Sequence, residues 1–338
     1  MSKLIFPAEW YPQSAVQLTW PHRETDWAPV FDEVVPCFVA IAKEIIKRET
    51  LLIVCQDEKE VRHQLGNIDK NRIIFREMHV NDTWARDYGG ITVFEDAKRK
   101  ILDFVFNGWG MKFAANHDNL ITRGLFQSGT FDEEAEIVNM QPFVLEGGSI
   151  ESDGQGTMLS TIECLSSVNR NEYLNKEQLE YHLKDFLGVE RFLWLENGYL
   201  AGDDTDSHID TLARFCSPDT IAYLQCLDRN DEHFEELNLM EEELKTFRQK
   251  NGEPYNLLPL PMADAIYDED NERLPATYAN FLIINGAVLV PTYNSPKDEI
   301  ALAQIKCAFP NREIIGIDCR ALIRQHGSLH CITMQFPK

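Results

Sequence analysis

Phe281-Leu282-Ile283-Ile284-Asn285-Gly286-Ala287-Val288-Leu289-Val290-Pro291 is two apolar runs separated by an Asn-Gly pair, a strong short-range signal for a β-hairpin. Downstream, Ile300, Leu302, Ile305 and Phe309 recur at roughly helical spacing, and residues 313–318 return as a strand. Hairpin or strand, Asn/Asp/Pro-rich loop, amphipathic helix and strand form one α/β unit, and the chain repeats it. A second copy runs from Phe143 through the Asp153-Gly154 turn to Ser160, then predicts a helix over 176–187 closed by Gly188 and a strand over 191–195. A third begins with strands at 91–94 and 101–106 and a helix near 118–127. A fourth holds an acidic loop, a strand over 221–226 and a helix from about Glu232 to Lys250, in which Phe234, Leu237, Met240, Leu244 and Phe247 share a face before Asn251-Gly252 ends it. The N-terminal stretch predicts a helix starting between Pro29 and Pro36, opened or kinked by Pro36 and ending near Arg48, then a strand over 51–55. Four or five such units with no Pro/Gly/Ser linker between them predict one pseudo-repetitive α/β domain over 1–338 rather than two domains.

The 338 residues are 44% hydrophobic, enough to bury a large core. Net charge is −23, from 55 acidic against 32 basic residues. That balance disfavours nucleic acid and anionic membranes as partners and favours small cations by long-range attraction. Residues 1–20 are interrupted by Pro7, Glu9 and Pro12 and read as no signal peptide, and no apolar run approaches bilayer length, so a cytoplasmic location is expected. Cys37, Cys55, Cys164, Cys216, Cys226, Cys307, Cys319 and Cys331 are scattered without CxxC spacing. They read as thiols rather than disulfides or a structural zinc site. Homo-oligomerisation is left open.

In the fourth unit, Gly202-Asp203-Asp204-Thr205-Asp206-Ser207-His208-Ile209-Asp210 gathers four carboxylates around one imidazole. Like charges at that density repel unless a cation sits among them, and the imidazole ordinarily titrates near neutrality. Solvated acidic turns are common, but Ile209, Leu212, Ala213 and Phe215 imply that this one re-enters the core, with His208 and Asp210 on one face if the segment is extended. A buried carboxylate then needs a partner.

If strands of successive units converge, polar groups at their ends meet. Asp87 in Trp84-Ala85-Arg86-Asp87-Tyr88-Gly89-Gly90, Glu146 in Leu145-Glu146-Gly147-Gly148, His208, Asp210, and Cys331 in His330-Cys331-Ile332-Thr333 are the candidates. Singly, each has a plainer explanation, as ion pair, turn or core thiol. Together they supply a nucleophile, a base and orienting carboxylates.

These residues make the chain resemble the agmatine deiminases of the guanidino-group-modifying superfamily, related to bacterial-type peptidylarginine deiminases. The resemblance runs nearly end to end, through Pro7-Ala8-Glu9-Trp10, Thr19-Trp20-Pro21-His22, residues 84–90 and 145–149, Asn169-Arg170-Asn171, residues 202–210, Ala213-Arg214-Phe215, Tyr278-Ala279-Asn280-Phe281 and His330-Cys331-Ile332-Thr333. It implies a five-bladed α/β propeller (pentein) whose blades are the repeats. It further implies Cys331 as nucleophile, His208 as general acid/base, Glu146 supporting His208, and Asp87 and Asp210 gripping a guanidinium. The expected reaction is hydrolysis of agmatine to N-carbamoylputrescine and ammonia through an S-alkylthiouronium on Cys331, without metal or organic cofactor. Asp204 or Asp206 is the candidate for the distal amine, and Trp84 and Trp109 for the butyl chain. Two departures touch substrate choice: Gly89-Gly90 where the family has Gly-Pro, and His326-Gly327-Ser328-Leu329 before His330-Cys331 where the family approaches its cysteine through Gly-Asn-Ile.

The nearest alternative is a deiminase or amidinotransferase acting on free or peptidyl arginine. A metal hydrolase built on His208, Asp210 and Asp203 lacks a second imidazole and HExxH spacing. A non-catalytic polyamine-binding protein keeps the acidic loop without needing Cys331.

Overall fold

The computed structural model describes residues 3–132 and 134–338. Among these residues the strands form five separate sheets of three or four strands, none closed on itself. The opening stretch behaves as read. Leu282–Ile284 and Ala287–Thr292 pair antiparallel, with Leu282 opposite Leu289 and Ile284 opposite Ala287. Gly286, at φ +77°, supplies the left-handed residue of the turn. The helix Lys297–Ala308 carries the chain back to Glu313–Asp318, which joins Ala287–Thr292 in parallel. The same order, an antiparallel pair and then a helix and a parallel third strand, recurs through Thr157–Thr161 and Arg191–Leu195, and through Thr220–Gln225 and Asn256–Pro261. It recurs again through Lys98–Val105 and Glu136–Val144, across the short helix Ile121–Gln127.

The fifth sheet is assembled from both ends of the chain. Gln13–Thr19 runs parallel to Thr50–Cys55 across the helix Phe31–Ile46, and its other edge is taken antiparallel by Thr333–Pro337. That pairing seats Cys331 two residues before a strand anchored on the N-terminal unit. Asn285 fastens the neighbouring sheet: its side-chain amide donates to the Gln13 carbonyl at 2.9 Å and to Glu49 Oε2 at 2.8 Å, and accepts from the Gln13 N–H at 3.1 Å.

Helix boundaries show what decided them. Lys176–Leu187 begins at a capping box, with the Asn175 side chain on the Gln178 N–H and the Gln178 side chain on the Asn175 N–H, and ends at left-handed Gly188. The predicted helix over 232–250 is shorter, Phe234–Thr246, because Phe247 is extended and Arg248 bridges to Pro254 around the Asn251-Gly252 turn. Leu237, Met240 and Leu244 remain its buried face. Pro36 lies inside Phe31–Ile46, so it does not open that helix; Pro29 lies in the preceding turn Ala28–Val30.

Gly188 also lies where a Cβ would meet the Leu4 carbonyl oxygen at 2.4 Å. Gly188→Ala adds the left-handed penalty of about 1 kcal/mol to that overlap, so about 2–4 kcal/mol of destabilisation is expected in urea unfolding.

Candidate active site

Three side chains from two segments, Asp87 from one and His208 and Asp210 from the other, converge over Gly148. A Cβ built there would lie 2.6 Å from His208 Nδ1, 2.7 Å from Asp87 Oδ1 and 3.2 Å from Asp210 Oδ2. Only a glycine leaves the carboxylates and the imidazole room, and its N–H donates to Asp87 Oδ1 at 3.0 Å. Cys331 Sγ lies 3.9 Å from Asp210 Oδ2, and the Asn280 side-chain amide donates to that sulfur at 3.2 Å. Glu146 Oε2 is 3.7 Å from His208 Nε2, an ionic contact beyond hydrogen-bond length, and His208 Nδ1 is 3.6 Å from Asp87 Oδ1. Asp87, Glu146, His208, Asp210 and Cys331 are thus brought together, all buried.

His208 and Asp210 do not share the face of an extended strand. His208 ends the loop, and Ile209–Leu212 is a single helical turn that carries Asp210 inward. Ahead of it, Asp206 and Ser207 are left-handed at φ +65° and +62°, which costs non-glycine residues roughly 1–2 kcal/mol each and requires surrounding contacts to hold them.

Each carboxylate has its own support. The Trp109 indole N–H donates to Asp87 Oδ2 at 2.9 Å. Asp210 Oδ2 pairs with His330 Nδ1 at 2.7 Å, and His330 Nε2 with Glu9 Oε2 at 2.6 Å. Arg214, fully buried, donates to Glu9 at 2.8 Å and also to Glu151 and the Phe281 carbonyl. Glu146 receives two bonds from Arg170 Nε, at 2.7 and 3.0 Å, and a weaker one from the Cys164 thiol at 3.9 Å. Asp210 Oδ1 and both nitrogens of His208 are buried without a hydrogen-bond partner among the described residues. A buried group left so is costly unless a ligand completes it.

The charges set the protonation. Burial pushes Asp87 up to about 6, against the pull of His208. Burial works the same way on Asp210, but the hydrogen bond and charge of His330 outweigh it and hold that carboxyl below its ordinary range. Burial disfavours the imidazolium of His208, yet Asp87, Cys164 and Glu146 raise it well above the usual histidine range. Cys331 is pushed well above an ordinary thiol by burial and by the charges of Asp210 and Asp87.

From Cys331 a cavity of about 190 Å³ opens outward, lined by Asp26, Asp82, Asp87, Asp203 and Asp204 and by Trp84, Trp109 and Phe113. At about 30 Å³ per water this is room for roughly six, the scale of a small molecule. Asp204 and Trp84 thus belong to the cavity lining. Asp206 does not line the cavity, because Lys112 at 2.6 Å and Arg170 at 2.7 Å hold it in the wall. Asp203 caps the turn through Thr205 and Ser207.

Reading the sequence assigned no role to Asn280, to the His330–Glu9–Arg214 chain, all of which lie in segments that carry the family resemblance, or to Asp26 and Asp82 on the cavity wall. The signal for the first was a lone amide beside the apolar run 281–284; the others are single residues far apart in sequence. Two donor groups are compact enough to consider for a metal among the described residues, Glu146–Cys164–His208 and Glu9–Glu151–His330. In each an arginine already bonds the carboxylates. The set His208, Asp210 and Asp203 does not form such a group among the described residues. No helix of the described residues is long and apolar enough to cross a membrane.

The α/β architecture is shared with a dimethylarginine dimethylaminohydrolase, with a TM-score of 0.53 at 12% identity over 96% of this chain and all of that one, a likeness of fold alone. The chain belongs to the Porphyromonas-type peptidyl-arginine deiminase family, whose sequence profile matches residues 5–337. It is 56% identical to a protein of Porphyromonas gingivalis provisionally named an arginine deiminase, whose crystal structure superposes with a TM-score of 0.96 over 99% of both chains. It is 40% identical to the C. jejuni agmatine deiminase solved as a cysteine-to-serine variant with substrate bound, with a TM-score of 0.92 over all of this chain and 97% of that one. It is also 30% identical to an agmatine deiminase of Pseudomonas aeruginosa over 98% of this chain and 95% of its relative.

A methyl group at residue 148 tests the convergence. A crystal structure of Gly148→Ala is expected to show the His208 imidazole or the Asp87 carboxylate displaced by roughly 1 Å, the shift needed to restore contact distance. Unmoved side chains would refute it.

Proposed function

We propose that this protein hydrolyses agmatine to N-carbamoylputrescine and ammonia through a covalent adduct on Cys331. The observation that carries the choice of substrate is the cavity wall: five aspartates and three aromatic rings, with no lysine or arginine in the lining among the described residues. A molecule with a guanidinium at one end and an amine at the other meets a carboxylate at both. A free arginine would bring its carboxylate against Asp82 or Asp204. The agmatine deiminases among the chain's relatives support the same substrate.

Asp87 and Asp210 accept hydrogen bonds from the guanidinium and hold its carbon over Cys331. Before substrate binds, burial and the charges of Asp210 and Asp87 keep that thiol protonated, and the arriving cation offsets the part due to the two carboxylates. The thiol proton passes to solvent as the sulfur adds to the carbon, and His208 as imidazolium delivers a proton to the departing nitrogen, which leaves as ammonia. Neutral His208 then takes a proton from water, which attacks the S-alkylthiouronium, releasing the ureido product and restoring the thiol. Glu146 orients the imidazole. Asp204 receives the distal amine, and Trp84 and Trp109 flank the methylenes with apolar and cation–π contact. The residues alone supply this chemistry, with no metal or organic cofactor. The five sheets form the blades of a single propeller domain over 1–338 in a cytoplasmic enzyme.

Ammonia release from agmatine, free arginine and a peptidyl arginine, each with EDTA present, is the deciding comparison. Agmatine is expected to turn over fastest, and Cys331→Ala and His208→Ala to lose at least about 10³-fold in rate. Full turnover by Cys331→Ala would sink the mechanism. Asp204→Asn is expected to raise KM for agmatine about tenfold, a loss of about 1.4 kcal/mol, with kcat little changed.

The pH profile follows from Asp87. Its carboxyl, pushed up to about 6, gains a proton as pH falls, and the protonated form no longer grips a cation. kcat/KM for agmatine is therefore expected to fall on the acid side with a midpoint near pH 6. Asp82, also pushed up to about 6 by burial, lines the same cavity, so Asp82→Asn should leave the acid limb in place if Asp87 sets it.

A further inference from the structure

The tripeptide Asn169-Arg170-Asn171 has no part in the mechanism above, yet each residue ties the site to a different segment. Asn171 brackets Val144 with two hydrogen bonds, donating to its carbonyl at 2.8 Å and accepting from its N–H at 3.0 Å, two residues before Glu146. The Asn169 carbonyl accepts from Asn107 at 2.7 Å, in the turn that carries Trp109. Between them Arg170, its side chain wholly buried, spends all three of its nitrogens. Nε donates to Glu146, Nη1 to Asp206 Oδ2 at 2.7 Å, and Nη2 to the Thr205 carbonyl at 2.8 Å.

We propose that Arg170 is the positioning residue for proton transfer, its one guanidinium fixing both the carboxylate that faces His208 and the left-handed turn from which His208 projects. The two ends of the imidazole's placement are otherwise independent. Glu146 belongs to the segment after Glu136–Val144, and residues 205–207 to the acidic loop. Asp206 and Ser207, at φ +65° and +62°, return to ordinary backbone unless contacts oppose it. Asp203, Lys112, Thr161 and Glu163 also hold this turn, but none of them is hydrogen-bonded to Glu146. Arg170 reaches the Glu146 carboxylate, the Asp206 carboxylate and the Thr205 carbonyl from three separate nitrogens at the fixed angles of one plane, a span that an ammonium, with its donors on a single atom, does not cover. The assignment deepens the deimination reading and rests on His208 being its acid/base group.

Steady-state turnover of agmatine by Arg170→Met, Arg170→Lys and Asp206→Asn tests it. Arg170→Met is expected to lower kcat about 100-fold, the usual cost of an ångström of misplacement. KM should stay within about threefold, because Asp87, Asp210 and Cys331 are held by Trp109, His330 and Asn280. Arg170→Lys should recover less than about tenfold of the loss, and Asp206→Asn, which removes only the side-chain contact to the loop, should cost about tenfold. Combining Glu146→Gln with Arg170→Met should be no more than about threefold slower than the slower single variant, since both act through His208. An Arg170→Met enzyme within threefold of wild type, or losses that multiply in the double variant, would overturn the proposal. The His208 ring resonances in ¹⁵N NMR provide a reading without substrate: they should shift in Arg170→Met, or in Arg170→Lys if the former does not fold, and unchanged resonances also overturn it. Wild-type protein that ignores agmatine while its variants shift those resonances would instead count against the deimination reading.

Discussion

A carboxylate removed from water has to find a cation or an N–H donor, and the centre of this fold holds five of them within contact of one another's partners. Glu9, Asp87, Glu146, Glu151 and Asp210 are met by the guanidiniums of Arg86, Arg170 and Arg214 and by the imidazoles of His208 and His330. Removing one member of such a set strands a charge where desolvation is most severe, which is why breaking a buried pair costs more than the pair contributes. The lattice forces the sheets together: Arg214 comes from Ala213–Ser217, Glu9 from the N-terminal segment, His330 from the approach to Thr333–Pro337. Geometry good enough to satisfy them is also good enough to aim the reacting groups.

The arrangement divides labour between two carboxylates of the same chemistry. Asp210, tied to His330, stays ionised far below neutrality, whereas Asp87, with an indole and a backbone N–H for support, is lifted by burial. Charge on the second is therefore conditional. A cation arriving in the cavity meets one fixed anion and one whose ionisation it promotes, and the same event relieves part of the pressure that keeps Cys331 protonated.

Most of the architecture was legible because each repeat carries local signals: Asn285-Gly286 for the hairpin, Asn175 and Gly188 for the two ends of a helix, a three-to-four spacing of Leu237, Met240 and Leu244. The end of the helix near residue 247 was not, since Phe247 fits the helical spacing yet is extended where the chain enters the small hairpin that bridges Arg248 to Pro254 around Asn251-Gly252. In the site, Asp87, Glu146, His208, Asp210 and Cys331 stood out as charged or nucleophilic groups among small and apolar neighbours. Choosing between Asp204 and Asp206 required knowing that Lys112 and Arg170 turn one of them into the wall. Asn280, Glu9 and Arg214 escape any local reading, because their function is defined by partners 51 to 274 residues away.

The sheet shared by the two ends of the chain has a consequence for synthesis. Gln13–Thr19 is synthesised within a few tens of residues of its parallel partner Thr50–Cys55, but its other edge belongs to Thr333–Pro337. At ribosomal speeds of about 5–20 residues per second, that edge waits roughly 15 to 60 s with its N–H and C=O groups unclaimed. Open edges recruit foreign strands, so the nascent protein carries a sticky flank for most of its translation. The final pairing that covers this flank also delivers Cys331, so the moment the chain ceases to be vulnerable to misassembly is the moment its thiol arrives.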